Sequence, residues 1–451
     1  MGNAFEGVHI FGGNGSGKTS GPGAALLKAY MRAGYGGLVL TAKPDECALI
    51  KRYAQEVGCL DRMIVFSPEE KWRFNFLAYE QRRPARGAGL TANIVKLFST
   101  IQDSFDRGDD AGGKQERYWK NALNQLLHNA VDLILLAGEN LSVSLLHEVI
   151  TSAPTGVDQL DSETWQANAT CYQLLEAALR NESLTPRQKS DLKLTGKFWL
   201  TEFPQLPHDT RGSIVSTFTT TADVFLRGTI GDMFSTGLTI VPEVTLEGAI
   251  LVIDLPVKTY GHVGLSAQIL WKYVWQQAIE RRDVTKNPRP VFLWADEAHN
   301  FVNEYDVQFQ TTARSARCCT TLLSQTLPNY FWALGGEQKG QALTESLMGV
   351  LQTKVFCANS DPKTNEWAAS VFAKSFQSRF NSGINKNEKG GGGSNAGSSE
   401  SLEYNVQPGQ FLTLRKGGPA NGFLVDTIVF QGGRVFNASR QTFIKTAFRQ
   451  V

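Results

Sequence analysis

The chain has 451 residues, of which 42% are hydrophobic, and a formal net charge of +2. That length buries one large core plus a smaller one, so one or two globular domains are expected. The near-neutral charge excludes bulk electrostatic coating of nucleic acid, which leaves local basic groups such as a pore lining for any DNA contact.

Six cysteines (Cys47, Cys59, Cys171, Cys318, Cys319 and Cys357) follow neither CxxC nor metal-ligand spacing, which reads as reduced thiols in a cytoplasmic setting. No run reaches the roughly 18 to 20 consecutive apolar residues of a membrane-spanning helix. Residues 2–7 also lack the basic and apolar regions of a signal peptide. The expectation is a cytoplasmic chain with no membrane span of its own.

The chain opens as strand, Gly-rich turn, helix, strand, over Val8–Phe11, the following loop, 24–33 and 38–41. This βαβ start predicts a parallel α/β sheet. A third apolar run, Met63–Phe66, stops at the turn residues Ser67 and Pro68.

From 88 to 206 the pattern is helical, in segments 90–105, 115–136, 144–151, 163–179 and 186–200. It predicts an all-α insertion between two stretches, 1–87 and 207–451, of one discontinuous nucleotide-binding domain. Tyr118, Trp119, Trp165, Phe198 and Trp199 read as packing of a helical core rather than as base-stacking groups. Strand-like runs then return at 250–255, Val291–Ala295, 320–324 and 354–358, with a late hairpin-like pair at 411–414 and 424–430. The Asn-, Gly- and Ser-rich stretch 381–402, with GGGGS at 390–394, is expected to be a flexible loop.

The residues Phe11-Gly12-Gly13-Asn14-Gly15-Ser16-Gly17-Lys18-Thr19 fit GxxxxGK[ST] directly after a strand and before a helix. Backbone N–H groups from Gly12 to Ser20 can wrap phosphates, Lys18 can neutralise their outer oxygens, and the Thr19 hydroxyl can ligate Mg²⁺. Val291–Ala295 ends in Asp296-Glu297. Asp296 can hold Mg²⁺ through water, and Glu297 can polarise the water that attacks the γ-phosphate of ATP. The plainer alternative is a pair of acids capping the following helix.

Gln325, at the tip of the next strand, is placed as a γ-phosphate sensor, or else simply caps the loop before Pro328. Arg314 and Arg317 lie between these two strands, where a motor assembled as a ring needs a cation for its neighbour's γ-phosphate. Each could equally be a surface arginine paired with an acid, and Arg211 is a further candidate for the same task. The stretch 335–339 is a charged loop that could face a pore or simply solvent.

These motifs, together with 38–46 (LVLTAKPDE), Phe74-Asn75-Phe76-Leu77, Pro408-Gly409-Gln410-Phe411 and Leu414-Arg415-Lys416-Gly417-Gly418, resemble the TraG/TraD-type coupling proteins of conjugation and type IV secretion over nearly the whole chain. The resemblance implies a RecA-like P-loop domain with an all-α insertion, assembled as a homo-hexamer around a DNA channel and hydrolysing ATP with Mg²⁺. It implies relaxase or secretion-channel components as partners, and recruitment to the inner face of the cell membrane by one of them. The family also places an arginine finger eleven residues before the glutamine, which here is Arg314.

Two departures stand out. The family usually carries N-terminal membrane helices, whereas here the P-loop strand starts at Val8; and Thr41 stands where the family has an aspartate before Lys43 and Glu46. Two other readings remain: a HerA/FtsK-like DNA pump of defence or packaging, and an ATP-dependent adaptor that recruits protein cargo without DNA.

Overall fold

The computed structural model describes residues 2–84, 86–105, 114–386 and 392–450. Its strands are β1 (Val8–Phe11), β2 (Gly36–Leu40), β3 (Met63–Phe66), β4 (Ile250–Ile253), β5 (Val291–Ala295), β6 (Cys318–Ser324), β7 (Thr353–Phe356), β8 (Lys374–Lys386), β9 (Gly392–Tyr404), β10 (Leu424–Gln431) and β11 (Phe443–Arg449). Nine of them form one sheet in the order β11-β10-β7-β1-β6-β5-β2-β4-β3. All pairings from β7 to β3 are parallel; β10 pairs antiparallel with both β7 and β11. The chain is therefore an α/β, RecA-like P-loop fold, as its motifs implied.

Continuous apolar runs such as VFLWA in β5 and ILVI in β4 are what a parallel sheet covered on both faces requires. Side chains alternate between the faces: Leu38 and Leu40 join one core, Val39 the other. Gly36 and Gly37 let β2 approach its neighbours closely, since a Cβ would meet the Thr245 carbonyl at Gly36 and the Phe292 ring at Gly37.

The helical stretch shares the core of one sheet face instead of building its own. Leu126, Leu133, Leu146 and Trp199 belong to the same buried cluster as Phe11 and Leu251. Helix Thr91–Phe105 lies on Val257–Arg281, where the Ser104 and Ser266 hydroxyls are 3.0 Å apart. Trp165, Phe198 and Trp199 are buried, whereas Tyr118 is half exposed on the outer side of its helix. The segment read as one helix at 163–179 is two, Glu163–Asn168 and Thr170–Arg180. Helices continue beyond 206, through His208–Asp223 and Gly228–Ser235, and the first packs against Lys114–Ala137 and Val143–Thr151.

Three expectations are corrected. The stretch 381–402 is not a loop over its described residues: β8 and β9 form a two-stranded antiparallel hairpin, with Phe376 opposite Leu402 and Lys386 opposite Gly392. Its backbone groups are satisfied by a partner strand, which Gly/Ser composition does not report; residues 387–391 lie outside the described part. The run at 411–414 is no strand, because Pro408–Leu412 is a 3₁₀ turn and the hairpin partner of β10 is β11. Residues 336–339 form the first turn of helix Gly336–Val350, where Lys339 pairs with Glu304. Among the described residues, no helix is long and apolar enough to cross a membrane.

Candidate nucleotide site

The C-terminal ends of β1, β6 and β5 deliver the P-loop, Gln325 and the Asp296-Glu297 pair to one edge of the sheet. The parallel register places Phe11 beside Ser324, the last residue of β6, while Ala295 lies beside Leu322. The loop is tethered at its start, as Gly12 N–H donates to the Ser324 carbonyl (3.2 Å) and Gly13 N–H to that of Ala358 (2.8 Å). Gly15 and Gly17 take φ of 67° and 82°, which a residue with a Cβ adopts only under strain. Asn14 is exposed at the tip, Ser16 is buried, and the chain enters helix Ala24–Arg32 through a π-turn over Thr19–Gly23.

Behind the loop, Thr19 Oγ1 donates to Asp296 Oδ2 at 2.6 Å. The Lys18 ammonium, buried, lies 3.4 Å from Glu297 Oε1. Gln325 Nε2 donates to both carboxylate oxygens of Glu297, at 3.1 and 3.2 Å, and the Gln325 main-chain carbonyl accepts from Asn359 Nδ2 (2.9 Å). Burial works to raise the Glu297 pKa, but Lys18, Gln325 and Lys43 outweigh it and hold the carboxyl below its ordinary value.

The structure therefore gathers Lys18, Thr19, Asp296, Glu297 and Gln325 around one point. Ser20 turns elsewhere, its hydroxyl accepting from Gln450 Nε2 at 2.8 Å. Arg314 stands apart: its side chain is 74% exposed and pairs with Glu6 at 3.2 Å. Arg317, in a left-handed conformation, donates to the Pro288 carbonyl, and Arg211 lies buried in the helical stretch, bonded to the carbonyls of Pro204 and Leu206.

Four residues in the site were not singled out for it in the sequence. Lys43 Nζ lies 3.3 Å from Glu297 and 3.9 Å from both Asp296 and Glu46. Glu46 accepts from the Ala42 and Lys43 amides; burial, then the Asp296 charge, pushes its pKa up to about 7. His299 Nδ1 bonds the Ser324 hydroxyl (3.1 Å), and Asn359 holds Gln325. The usable signal for the first two was the AKPDE segment itself. Thr41, in place of an acid, is committed to the fold: its hydroxyl donates to the Ile253 carbonyl and its amide to Gln268 Oε1.

The residues fit a magnesium nucleotide. Two ammonium groups meet at Glu297, a hydroxyl and a carboxylate oxygen sit side by side for a hard cation, and the buried Ser16 hydroxyl has no partner among the described residues.

No family model and no curated protein matches the chain. Among solved structures it is similar to the unbound monoclinic form of the bacterial conjugative coupling protein TrwBdeltaN70, with a TM-score of 0.63 and 14% identity over 100% of this chain and 86% of that one. The plasmid coupling protein TrwB with the non-hydrolysable ATP analogue ADPNP matches with TM-score 0.63 and 12% identity, over 100% and 86% of the two chains. TrwB with ADP and Mg²⁺ matches with TM-score 0.60, 12% identity and the same coverage. At such identities the likeness speaks for the fold alone: the chain has the fold of the conjugative coupling protein TrwB.

Proposed function

We propose that the chain is an ATP-hydrolysing motor that moves DNA as a homo-hexamer around a channel, in the manner of a conjugative coupling ATPase. The observation that carries this reading is the convergence of Lys18, Thr19, Asp296, Glu297 and Gln325, from three strands, at one sheet edge. A pair of acids serving only as a helix cap would not draw a P-loop lysine and a sensor glutamine onto the same carboxylate.

The roles follow from the contacts. Thr19 Oγ1 and Asp296 are the atoms to hold Mg²⁺, which when bound supplies charge neutralisation on the phosphate oxygens. Lys18 and Lys43, both beside Glu297 Oε1, neutralise phosphate. The Glu297 carboxylate, ionised at neutral pH, takes the proton of the attacking water. Gln325 orients that carboxylate and, leading into helix Leu327–Ala333, passes its position to the segments beyond. Arg314, exposed and paired with Glu6, is the finger offered to a neighbouring subunit. We take the helical insertion to run from 88 to 235, within a RecA-like domain made of the remainder. Relaxase or secretion-channel components are the partners this reading calls for.

The test is the steady-state ATPase rate with no DNA, with single-stranded DNA and with duplex DNA, using Lys18→Ala as the blank. A severalfold stimulation by either DNA supports the motor and says which form it grips. A rate indifferent to both would instead make the chain a nucleotide-dependent protein adaptor.

A further inference from the structure

A buried polar track runs from the P-loop strand to Glu297. His9 of β1 has no exposed surface, and its Nε2 lies 2.8 Å from the Tyr330 hydroxyl. Tyr330, on helix Leu327–Ala333, is hydrogen-bonded also to Ser324, the last residue of β6. The Ser324 hydroxyl bonds His299 Nδ1 (3.1 Å), and the His299 ring stands edge-on to that of Tyr330, with centroids 6.4 Å apart. His299 Nδ1 in turn lies 3.9 Å from Glu297 Oε2. His9, Ser324 and Tyr330 are buried where apolar side chains would pack with nothing to satisfy, and His9 Nδ1 has no partner among the described residues. In the low dielectric of a core, a polar network fixes the orientation of its members more sharply than apolar contacts do.

The two oxygens of Glu297 are held differently. Oε1 gathers Lys18 at 3.4 Å, Lys43 at 3.3 Å and Gln325 at 3.1 Å. Oε2 meets Gln325 at 3.2 Å and His299 at 3.9 Å, the latter beyond a direct hydrogen bond. Both lysines are also the groups that phosphate oxygens would claim, which strips Oε1 of its cations. The carboxylate then needs another hold to stay in line with the attacking water, since a misplacement of about 1 Å can cost roughly 10²-fold in rate. His299 stands ready: a shift of about 1 Å brings Nδ1 within bonding distance of Oε2, the kind of contact that tightens only in the loaded site.

We propose that His299 is a positioning residue for Glu297: set by Ser324 and Tyr330, its Nδ1 takes Oε2 once Lys18 and Lys43 turn to phosphate. The inference rests on the ATPase reading above. It ties the carboxylate to helix Leu327–Ala333 by a route other than Gln325.

The test compares His299→Ala, His299→Asn and His299→Gln in the full chain, by single-turnover ATP hydrolysis, equilibrium binding of a fluorescent ATP analogue, and melting curves. Asparagine sets an amide nitrogen where Nδ1 stands, and glutamine where Nε2 does. The Ala and Gln variants should hydrolyse roughly tenfold more slowly or worse, with Kd within about twofold of the unaltered chain, while the Asn variant stays within about threefold in rate. Tyr330→Phe should slow hydrolysis through the same track, so that adding it to His299→Ala costs less than about twofold more. Equal loss in the Asn and Gln variants, a Kd that rises in step with the lost rate, additive effects of Tyr330→Phe and His299→Ala, or His299→Ala at the unaltered rate would each overturn the assignment. Should the melting curves show that His299→Ala does not fold, the contrast between Asn and Gln decides. If the unaltered chain shows no hydrolysis above Lys18→Ala, the ATPase reading falls and the inference with it; with that hydrolysis present, the His299 results judge the inference alone.

Discussion

Glu297 has a backbone that only its neighbours make tolerable: φ 46° and ψ 44°, a left-handed conformation costing about 1 kcal/mol for a residue with a Cβ. The turn is held because Asp296 Oδ1 accepts the Glu297 amide (2.8 Å) and Asn300 Nδ2 donates to its carbonyl (3.0 Å). The strain aims the carboxylate back at Lys18 and Gln325. Replacing it by an amide of the same shape keeps the cradle and, on the proposed role, removes the base. Glu297→Gln should therefore bind nucleotide with little change while turnover falls roughly 10²-fold or more, checked by equilibrium binding alongside single-turnover hydrolysis. Loss of binding and turnover together would mark Glu297 as structural.

A second residue-scale prediction concerns Lys354 on β7, buried with its ammonium on the Leu351 carbonyl (2.6 Å) and near the Phe430 ring. Burial lowers its pKa from 10.5 to about 8. A depressed folded-state pKa means that the group's contribution to stability is complete above about 10.5 and is lost as pH falls through about 8. Lys354→Met should thus stabilise the protein at pH 7 by roughly 2 kcal/mol, with the gain vanishing near pH 10.5. Urea midpoints at the two pH values test this, and an equal gain at both would refute it.

Among elements, the C-terminal hairpin braces the nucleotide loop. Gln450, just past β11, donates to the Ser20 hydroxyl and accepts from the Gly418 amide (2.6 Å), while Val425 of β10 lies against Gly17 and Gly21, both too close for a Cβ without rearrangement. This makes physical sense of the LRKGG segment, whose Lys416 carbonyl lies against Gly17 and whose Gly417 and Gly418 back onto Gln450. Gln450→Ala leaves two polar groups unpaired, a cost of about 1 to 2 kcal/mol. It should raise the nucleotide Kd severalfold with kcat nearly unchanged, as measured by titration and steady-state kinetics; a fall in kcat at constant Kd would argue against a bracing role. Sequence reading marked Gly417 and Gly418 as family-like but not what they touch: both meet Gln450, which in turn reaches Ser20 across 430 residues of sequence.

At the scale of the whole molecule, the exposure of Arg314 is informative. Within one chain, among the described residues, its ion pair is with Glu6, so a finger role requires a second copy. Arg314→Ala and Lys18→Ala chains should each be inactive alone. Mixed one to one, they should regain roughly a quarter of the intact sites, as random assembly of a ring with shared sites dictates. ATPase activity across mixing ratios measures this, and inactivity at every ratio would remove Arg314 from the site.

The P-loop, the Asp296-Glu297 pair, Gln325 and the βαβ start were legible in the sequence because each depends on local chemistry: glycines with positive φ, a buried apolar run, and a polar residue at its C-terminal tip. Tertiary structure decided what pairing at a distance controls. It drew Lys43 and Glu46 onto the Asp296-Glu297 pair, set β8 against β9 where composition pointed to a loop, and carried the helices past 206 to pack on Lys114–Ala137. Local pattern fixes which groups a segment can offer, but strand partners, buried charges and cavities belong to residues that meet only when the chain has folded.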